Sequence, residues 1–355
     1  MASQDQTFLP GFYGWTDTLK GVYYGPGSTK TALPKFLNTL GIKKALLVTG
    51  KSLYDKTDIV KKIESVLKEQ NSYGATFYEI GQHSPIAEIR RGVSIFTQLQ
   101  CDGIVAVGGG SPIDASKAIL YLQQKETGGP TLSQIAIPTT LSAAEYSIGA
   151  GYTDDEGNKV AVSSQSLAPA GIILDAELTL ATPERLWLST GIRALDHAVG
   201  RSINECSTFI SNPKSTIVET LYRPLTPVPV KVLCYAALAD LFTYLPKSKA
   251  NPQAVDCLTL APTIALQSKI ASQDDKELLA QTLFYLHQPS TGSVEGDILK
   301  LSSLVHRLVI DLGLQANLTE YSVPHADLSK IAGSVLDSQD DQIISQVVEM
   351  LKTLY

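Results

Sequence analysis

The sequence lacks the features of membrane, secreted and nucleic-acid-binding proteins. It has no run of about 18 apolar residues, so we expect no membrane-spanning helix. Its start, MASQDQTFLPGF, does not place a basic region before an apolar one, as a secretory signal peptide does. Lysine and arginine number 29 against 35 aspartates and glutamates, a net charge of −6 that disfavours a nucleic-acid-binding surface. We therefore expect neither a nucleic-acid partner nor membrane association.

Cysteines are few and widely spaced. The four cysteines form no CxxC pair; they are Cys101, Cys206, Cys234 and Cys257. This spacing argues against a zinc site and against a disulfide framework, and it favours reduced, mostly buried thiols. Such thiols are typical of the cytosol, so we expect a cytoplasmic protein. At 355 residues, 44% of them hydrophobic, the chain is long enough for about two domains.

The first half of the chain alternates short apolar runs with helical patterns. Buried strands are predicted at 44–49, 76–80, 103–107, 133–137 and 171–174. Helices are predicted between them, at 51–69, 85–99 and 113–122. Because strands and helices alternate strictly, the pattern indicates a parallel, Rossmann-like sheet with helices on both faces.

The pattern changes near residue 182. Pro183, followed by Glu184, is typical of a helix start. From there to residue 355 apolar residues recur at helical spacing, and no β-type alternation is convincing. We therefore predict two domains, an α/β domain over residues 1–180 and an all-α domain over residues 181–355.

A glycine-rich turn, Gly108-Gly109-Gly110-Ser111, lies between a predicted strand and a predicted helix. Glycines let the backbone approach a phosphate without a Cβ in the way. The following helix directs its free N–H groups and the positive end of its dipole towards that phosphate. The form is GGGSPIDASK and not GxGxxG, so the standard dinucleotide fingerprint does not apply. The pattern alone leaves open an ordinary tight turn.

A second segment, IPTTLSAAEYS, follows a later predicted strand. Thr139 and Thr140 lie just beyond the strand end, where ligands collect in open parallel sheets. Small residues follow and leave space for a flat cofactor. The alternative for this segment alone is a polar loop with a capping threonine.

Four motifs follow one another in order: GGGSPIDASKAI, IPTTLSAAEYS, AGIILDAELTLATPERL and GIRALDHAVG. Together they resemble the iron-containing alcohol dehydrogenase superfamily, especially its maleylacetate-reductase-like branch. The stretches GVYYGPGSTKTALPKFL and FYEIGQHSPIAEIRRG look like fungal members. The resemblance implies the architecture of that superfamily and of dehydroquinate synthase. An α/β domain would bind NAD(P), a helical domain would hold a divalent metal, and hydride transfer would occur in the cleft.

The resemblance also implies which residues bind the cofactor. The pyrophosphate would be held by Gly108, Gly109, Gly110 and Ser111, with Asp114 in the same motif. Thr139 and Thr140 would lie beside the nucleotide, and Lys159 would approach the nicotinamide.

Many relatives have an acid after the first strand for the ribose hydroxyls. Here the turn is Gly50-Lys51, with no acid to exclude a 2′-phosphate. We therefore expect NADP in preference to NAD. Alternatively, Lys51 is an ordinary exposed lysine in a turn.

The metal site departs from the family pattern. Metal-dependent relatives have an aspartate at the third position of GIRALDHAVG and a histidine four residues later, on the same helix face. His197 is present, but Arg193 occupies the aspartate position. A guanidinium has no lone pair to offer a cation. Asp196 is adjacent to His197 and therefore lies on another face.

The other family ligands are histidines in a Gly/His-rich segment. This chain has no glycine between Arg201 and Thr291, and the later His287, His306 and His325 lie in no HxxxH pattern. We therefore predict that the metal-ligand loop is deleted and that no metal is bound.

Arg193 and His197 would instead form a cationic spot for a carboxylate, an enolate or a developing oxyanion. His197 would also exchange a proton near neutral pH. Alternatively, neighbouring carboxylates satisfy the pair.

Three functions follow, and the sequence leaves them open. The first is a metal-independent, NADP-dependent oxidoreductase for a carbonyl, enone or quinone-like metabolite, in fungal specialised metabolism. The second is a non-redox lyase, isomerase or cyclase in which Arg193, His197, Tyr146 and Glu145 do acid–base work. The third is an inert binding relative. Because relatives often dimerise, a homodimer is also expected.

Overall fold

The computed structural model of the chain describes residues 11–13, 19–81, 84–199, 273–315, 317–320, 323–329 and 341–355. It also describes the short pieces 238–239, 241–243, 245–246 and residue 332. The chain divides into two units, Met1–Thr182 and Pro183–Tyr355.

The first unit contains all the described strands. They are β1 Gly11–Tyr13, β2 Gly21–Tyr24, β3 Ala45–Gly50, β4 Tyr73–Ile80, β5 Gly103–Gly108, β6 Ser133–Pro138, β7 Gly149–Thr153, β8 Lys159–Ser163 and β9 Gly171–Leu174. Its described helices are α1 Thr29–Leu40, α2 Lys51–Lys56, α3 Ile59–Glu69, α4 Ile86–Gln98, α5 Gly110–Thr127 and α6 Ala176–Thr179.

Seven strands form one sheet in the order β1-β2-β9-β6-β5-β3-β4. All neighbours from β2 to β4 pair in parallel, and only β1 pairs antiparallel, at the edge. Strands β7 and β8 form a separate antiparallel hairpin. The predicted parallel sheet with helices is therefore confirmed, and the hairpin and the antiparallel edge strand are additions to it.

Both faces of the sheet are buried, which explains the continuous apolar runs of the sequence. In β3, Leu46 and Val48 pack into one hydrophobic cluster with α4 and α5. Leu47, on the opposite face, packs into a second cluster with α1 and α3. Every residue of β5 is buried, so the glycine turn that follows it begins from the centre of the sheet.

One predicted helix is wrong, because the structure divides 51–69 into α2 and α3. Thr57 separates them in an extended conformation, with φ −138° and ψ 161°. Its hydroxyl donates to the Leu53 carbonyl at 2.7 Å and accepts from the Ile59 N–H at 3.3 Å. The side chain thereby replaces two bonds of a continuous helix, as threonine does at helix boundaries.

The helix after the glycine turn is longer than predicted. It runs from Gly110 to Thr127, where Gly128 ends it with a left-handed conformation of φ 68°. The strand predicted at 76–80 begins earlier, at Tyr73. The two differences extend the elements but leave their order unchanged.

The regular secondary structure among the described residues of the second unit is helical. Its helices are α7 Glu184–Val199, α8 Gln273–Tyr285, α9 Val294–Asp311 and α10 Asp341–Lys352. The predicted helix start at Pro183-Glu184 is confirmed, since the Trp187 N–H donates to the Pro183 carbonyl. None of the described helices combines the length and hydropathy that crossing a membrane requires.

Asp175→Ala is expected to destabilise the first unit by about 2–4 kcal/mol, because it leaves buried N–H donors without an acceptor. The Asp175 carboxylate is 2% exposed and accepts from the N–H groups of Gly27, Thr29 and Glu177 at 2.8–3.1 Å. Urea unfolding measures the loss. Asp155→Ala removes only an exposed ion pair with Arg90 and should cost less than about 1 kcal/mol. Equal losses in the two variants would contradict this role of Asp175.

Candidate functional site

The glycine turn joins the central strand β5 to α5. Gly108 has φ +135°, a conformation that residues with a side chain rarely adopt. Gly109 precedes the helix in an extended conformation and provides no side-chain cap for its first N–H groups. The 18-residue helix α5 therefore presents amide donors and the positive end of its dipole at this turn. This arrangement is suited to an anion.

A second loop closes over the turn. A Cβ added at Gly109 would lie 3.2 Å from Thr140 Cγ2, and one added at Gly110 would lie 3.4 Å from Ser142 Oγ. The Thr139 N–H donates to the Gly108 carbonyl at 2.9 Å and fixes the start of this loop. We call this glycine turn, with Thr140 and Ser142 against it, the phosphate cradle. A side chain at either glycine would press on this loop, so the loop packs closely against the turn.

The end of β3 lies beside the cradle. Thr49 pairs with Val107 of β5, and its hydroxyl is buried with no hydrogen-bond partner among the described residues. A Cβ added at Gly50 would lie 3.9 Å from Pro112 Cγ, in the first turn of α5. Lys51 follows as the first residue of α2 and is exposed. The structure therefore brings Gly50 and Lys51 to the edge of the cradle.

Asp114 lies in α5 but makes internal contacts. Its oxygens lie 3.4 Å from Lys117 Nζ and 3.4 Å from the Gly151 N–H. Lys117 is fully buried and donates to the carbonyls of Ala144 and Gly149 at 2.6 and 2.9 Å. The structure places Asp114 next to the cradle, and its part in cofactor binding stays a prediction. Sequence reasoning missed Lys117; the one available signal was a lysine among the apolar residues of SKAIL.

Glu145 and Tyr146 follow the cradle in a short 3₁₀ turn, Ala144–Tyr146. Burial raises the pKa of the Glu145 carboxyl to about 7, and the nearby positive charge of Lys117 opposes this shift. Glu145 Oε2 has no hydrogen-bond partner among the described residues, whereas Tyr146 is 47% exposed. A carboxyl of this kind can carry or release a proton near neutral pH.

Lys159 lies away from these contacts. It begins β8 and donates to the Thr153 hydroxyl at 2.9 Å, within the hairpin. No contact among the described residues joins it to the glycine turn, so its approach to the nicotinamide stays a prediction.

Ser84 connects the hairpin to the cradle and was missed by sequence reasoning. It is 1% exposed and has φ +49°, a conformation that costs energy for a residue with a side chain. Its hydroxyl donates to the Ser111 carbonyl at 3.0 Å, and its own carbonyl accepts from the Thr153 N–H. Ser84 thereby holds the first turn of α5.

Arg193 and His197 both belong to α7 in the second unit. Arg193 is exposed, while Ile192 and Leu195 are buried. His197 lies one helical turn later, and its side chain falls outside the described residues. The cationic spot therefore stays a prediction.

At the position where the resemblance implies an aspartate ligand, the chain has Arg193, whose guanidinium offers no lone pair. Within the described ranges no three His, Cys, Asp or Glu residues group as metal ligands. The segment 200–237 and most of 238–272 lie outside these ranges, including the predicted loop deletion. The absence of a bound metal therefore stays a prediction.

Comparisons with known proteins point to one family. The family described as "Iron-containing alcohol dehydrogenase" matches residues 20–176. The chain is 32% identical over 176 residues to 4-hydroxybutyrate dehydrogenase from Cupriavidus necator, which covers 45% of each protein. It is 34% identical over 164 residues to Dehydrogenase FUM7 from Gibberella moniliformis, which covers 38% of this chain and 39% of that protein. The chain thus spans less than half the length of these curated relatives.

Solved structures match nearly the whole chain. A 1,3-propanediol oxidoreductase aligns with a TM-score of 0.76 and 22% identity, covering 97% of this chain and 100% of the other. Maleylacetate reductase from Rhizobium sp. strain MTP-10005 aligns with a TM-score of 0.66 and 20% identity, covering 97% and 98%. At these identities the likeness concerns the fold. The predicted fold class, a parallel-sheet domain followed by a helical remainder, is confirmed.

Proposed function

We propose that the chain is an NADPH-dependent oxidoreductase, because residues 20–176 match the family described as iron-containing alcohol dehydrogenase, and that family is NAD(P)-dependent. We further propose that it acts without a metal ion on a carbonyl, enone or quinone-like metabolite of specialised metabolism. When bound, NADPH supplies the hydride. The fungal branch and a homodimer remain part of the proposal.

The phosphate cradle carries this proposal. The first N–H groups of α5 would donate to the pyrophosphate, and the helix dipole would stabilise its charge. Thr140 and Ser142 pack against the turn and would border the bound phosphates. The φ of −81° at Gly109 does not itself require a glycine, and a Cβ there would press on Thr140.

The carbonyl end of the reaction needs an electrophile, and Arg193 is our candidate. Its permanent charge would stabilise the oxygen that becomes negative as hydride arrives. His197 would then give a proton to that oxygen. No step passes through a metal, since an arginine cannot ligate one.

Glu145 supports a second candidate function. A buried carboxyl whose pKa is about 7, followed by the half-exposed Tyr146, is a combination suited to acid–base chemistry. On that alternative the chain is a lyase, isomerase or cyclase on the same scaffold, and Arg193 and His197 bind the substrate.

NADPH titration of the purified protein, followed by the fluorescence of the nucleotide, separates the two functions. We expect a micromolar Kd, together with less than one metal ion in about ten chains by elemental analysis after purification without chelators. Failure to bind NADPH and NADH would reject the oxidoreductase and leave the second candidate. Stoichiometric iron or zinc would reject the metal-independent part alone.

Lys51→Ala is expected to weaken NADPH binding about 5–10-fold and to leave NADH binding unchanged, because the ammonium pairs with the 2′-phosphate. Both Kd values are measured by fluorescence titration. Lys56→Ala is the matched control, since Lys56 is exposed at the other end of the same helix. An equal loss for both nucleotides in Lys51→Ala would show that Lys51 does not select the phosphate.

A further inference from the structure

A fully buried lysine outside the predicted site connects the two parts of the phosphate cradle. Lys117 lies in α5, two turns after the glycine turn, and donates to the carbonyls of Ala144 and Gly149. Its third neighbour is Asp114 Oδ1 at 3.4 Å. An ammonium group has three donors, and these three neighbours are close enough to accept from them.

The two carbonyls lie at the far end of the loop that closes the cradle. The loop starts at Thr139, which is bonded to Gly108, and it passes Gly110 with Ser142 and Ala144 at 3.4–3.8 Å from a Cβ added there. Lys117 fixes its other end. The position of the loop over the turn therefore depends on one buried charge.

That charge is balanced by two carboxyls. Lys117 and Asp114 both come from α5, and Glu145 comes from the loop itself. Among the described elements, β6 also packs against the 3₁₀ turn, and its sequence SQIAIP contains no titratable side chain. With Glu145 protonated, the net charge of the three side chains is zero, and with Glu145 ionised it is −1.

The charge of Glu145 would act strongly on a ligand bound nearby, because the carboxyl is buried. It is 5% exposed, and its Oε2 has no hydrogen-bond partner among the described residues. It directly follows Ala144, whose Cβ would lie 3.8 Å from a Cβ added at Gly110. Little water screens a charge buried at such a position.

We propose that Lys117 and Glu145 are a positioning pair for the phosphates of the dinucleotide. Lys117 holds the loop over the glycine turn, and the charge state of Glu145 sets how tightly the cradle binds an anion. This proposal rests on the proposed function, because it concerns the same cradle.

The direction of the pH dependence of binding follows from electrostatic repulsion. Burial raises the pKa of Glu145 to about 7, so the carboxyl is mostly neutral at pH 6 and mostly ionised at pH 8. The ionised form repels the phosphates, so affinity falls as the pH rises. Binding of the phosphates in turn favours protonation of Glu145, as linkage requires.

Glu145→Gln tests the charge, because glutamine keeps the shape and stays neutral. At each pH, the NADPH Kd of the unaltered protein is divided by that of the variant, and we expect this ratio to rise about five-fold from pH 6 to pH 8. The ratio removes the effect of the ligand's own 2′-phosphate, because its titration is the same for both proteins. A ratio that is the same at pH 6 and 8 would overturn the role of Glu145.

Lys117→Met tests the position, with Lys117→Arg as the charge-conserving comparison. In the free protein, the amides of Tyr146 and Ser147 are bonded to the carbonyls of Ala143 and Ala144. We expect their hydrogen exchange to accelerate about ten-fold in Lys117→Met, while the amides of β5 stay protected. NADPH should bind about ten-fold more weakly, with partial recovery in Lys117→Arg.

The outcomes separate this proposal from the proposed function. If the unaltered protein binds no nicotinamide dinucleotide, the proposed function is wrong. The proposal that Lys117 and Glu145 position the phosphates is then wrong as well. If it binds NADPH but exchange at 146 and 147 is unchanged in Lys117→Met, only the role of Lys117 is wrong. If Lys117→Met does not fold, Lys117→Arg and the pH ratio of Glu145→Gln decide the result.

Discussion

Gly109→Ala is expected to weaken NADPH binding about 20-fold, or close to 2 kcal/mol, and to leave the stability of the fold nearly unchanged. The backbone at Gly109, with φ −81° and ψ −159°, is accessible to alanine. The new Cβ would lie 3.2 Å from Thr140 Cγ2 and 3.3 Å from its Oγ1, so Thr140 would have to shift by a few tenths of an ångström beside the proposed phosphate site. Fluorescence titration measures the affinity, and urea unfolding measures the stability.

Gly129→Ala is the matched control for this change. Gly129 lies just beyond the other end of α5, and a Cβ there would make an ordinary contact of 3.5 Å with Thr127 Oγ1. We expect its NADPH Kd to equal that of the unaltered protein. Unchanged binding in Gly109→Ala would mean that the phosphates bind elsewhere, and the proposed function would lose its main support.

The central strands could be predicted from the sequence because both faces of the sheet are covered. A strand such as β5 reads as a continuous apolar run, and the glycines that follow it mark its end. The hairpin of β7 and β8 gives no such signal, since its residues are mostly exposed or half-buried and pack on one side only. The break at Thr57 was hidden for another reason. Threonine is common within helices, and only its two bonds to Leu53 and Ile59 show that it ends one.

The site could be predicted in part, for similar reasons. The glycine turn is local, so the sequence contains every residue that shapes its backbone. The apolar residues around Lys117 only hint at its burial, which depends on carbonyls 27 and 32 residues later in the chain. The Ser84 hydroxyl donates to the carbonyl of Ser111, 27 residues later in the chain. The positive φ of Ser84 has no signal in the local sequence. Contacts between distant segments therefore explain what the motifs could not show.

Arg193→Ala is expected to lower kcat/KM for carbonyl reduction about 100-fold or more, and to leave the NADPH Kd unchanged. The guanidinium would act mainly on the oxygen that gains charge in the transition state, so its loss affects the reaction and not the cofactor. Steady-state NADPH oxidation is measured with a panel of aldehydes, enones and quinones. The comparison uses the compound that the unaltered protein reduces fastest.

Arg307→Ala provides the control, because Arg307 lies in α9 of the same unit with an 81% exposed side chain and only a 3.9 Å ion pair with Asp311. Its kcat/KM should equal that of the unaltered protein. A chelator such as EDTA should also leave the activity unchanged, since the proposed reaction uses the guanidinium of Arg193, which cannot ligate a cation, in place of a metal. Activity that disappears with EDTA and returns with Fe²⁺ or Zn²⁺ would show that a metal, and not Arg193, polarises the carbonyl. Full activity of Arg193→Ala without a metal would instead assign that task to another residue of this chain.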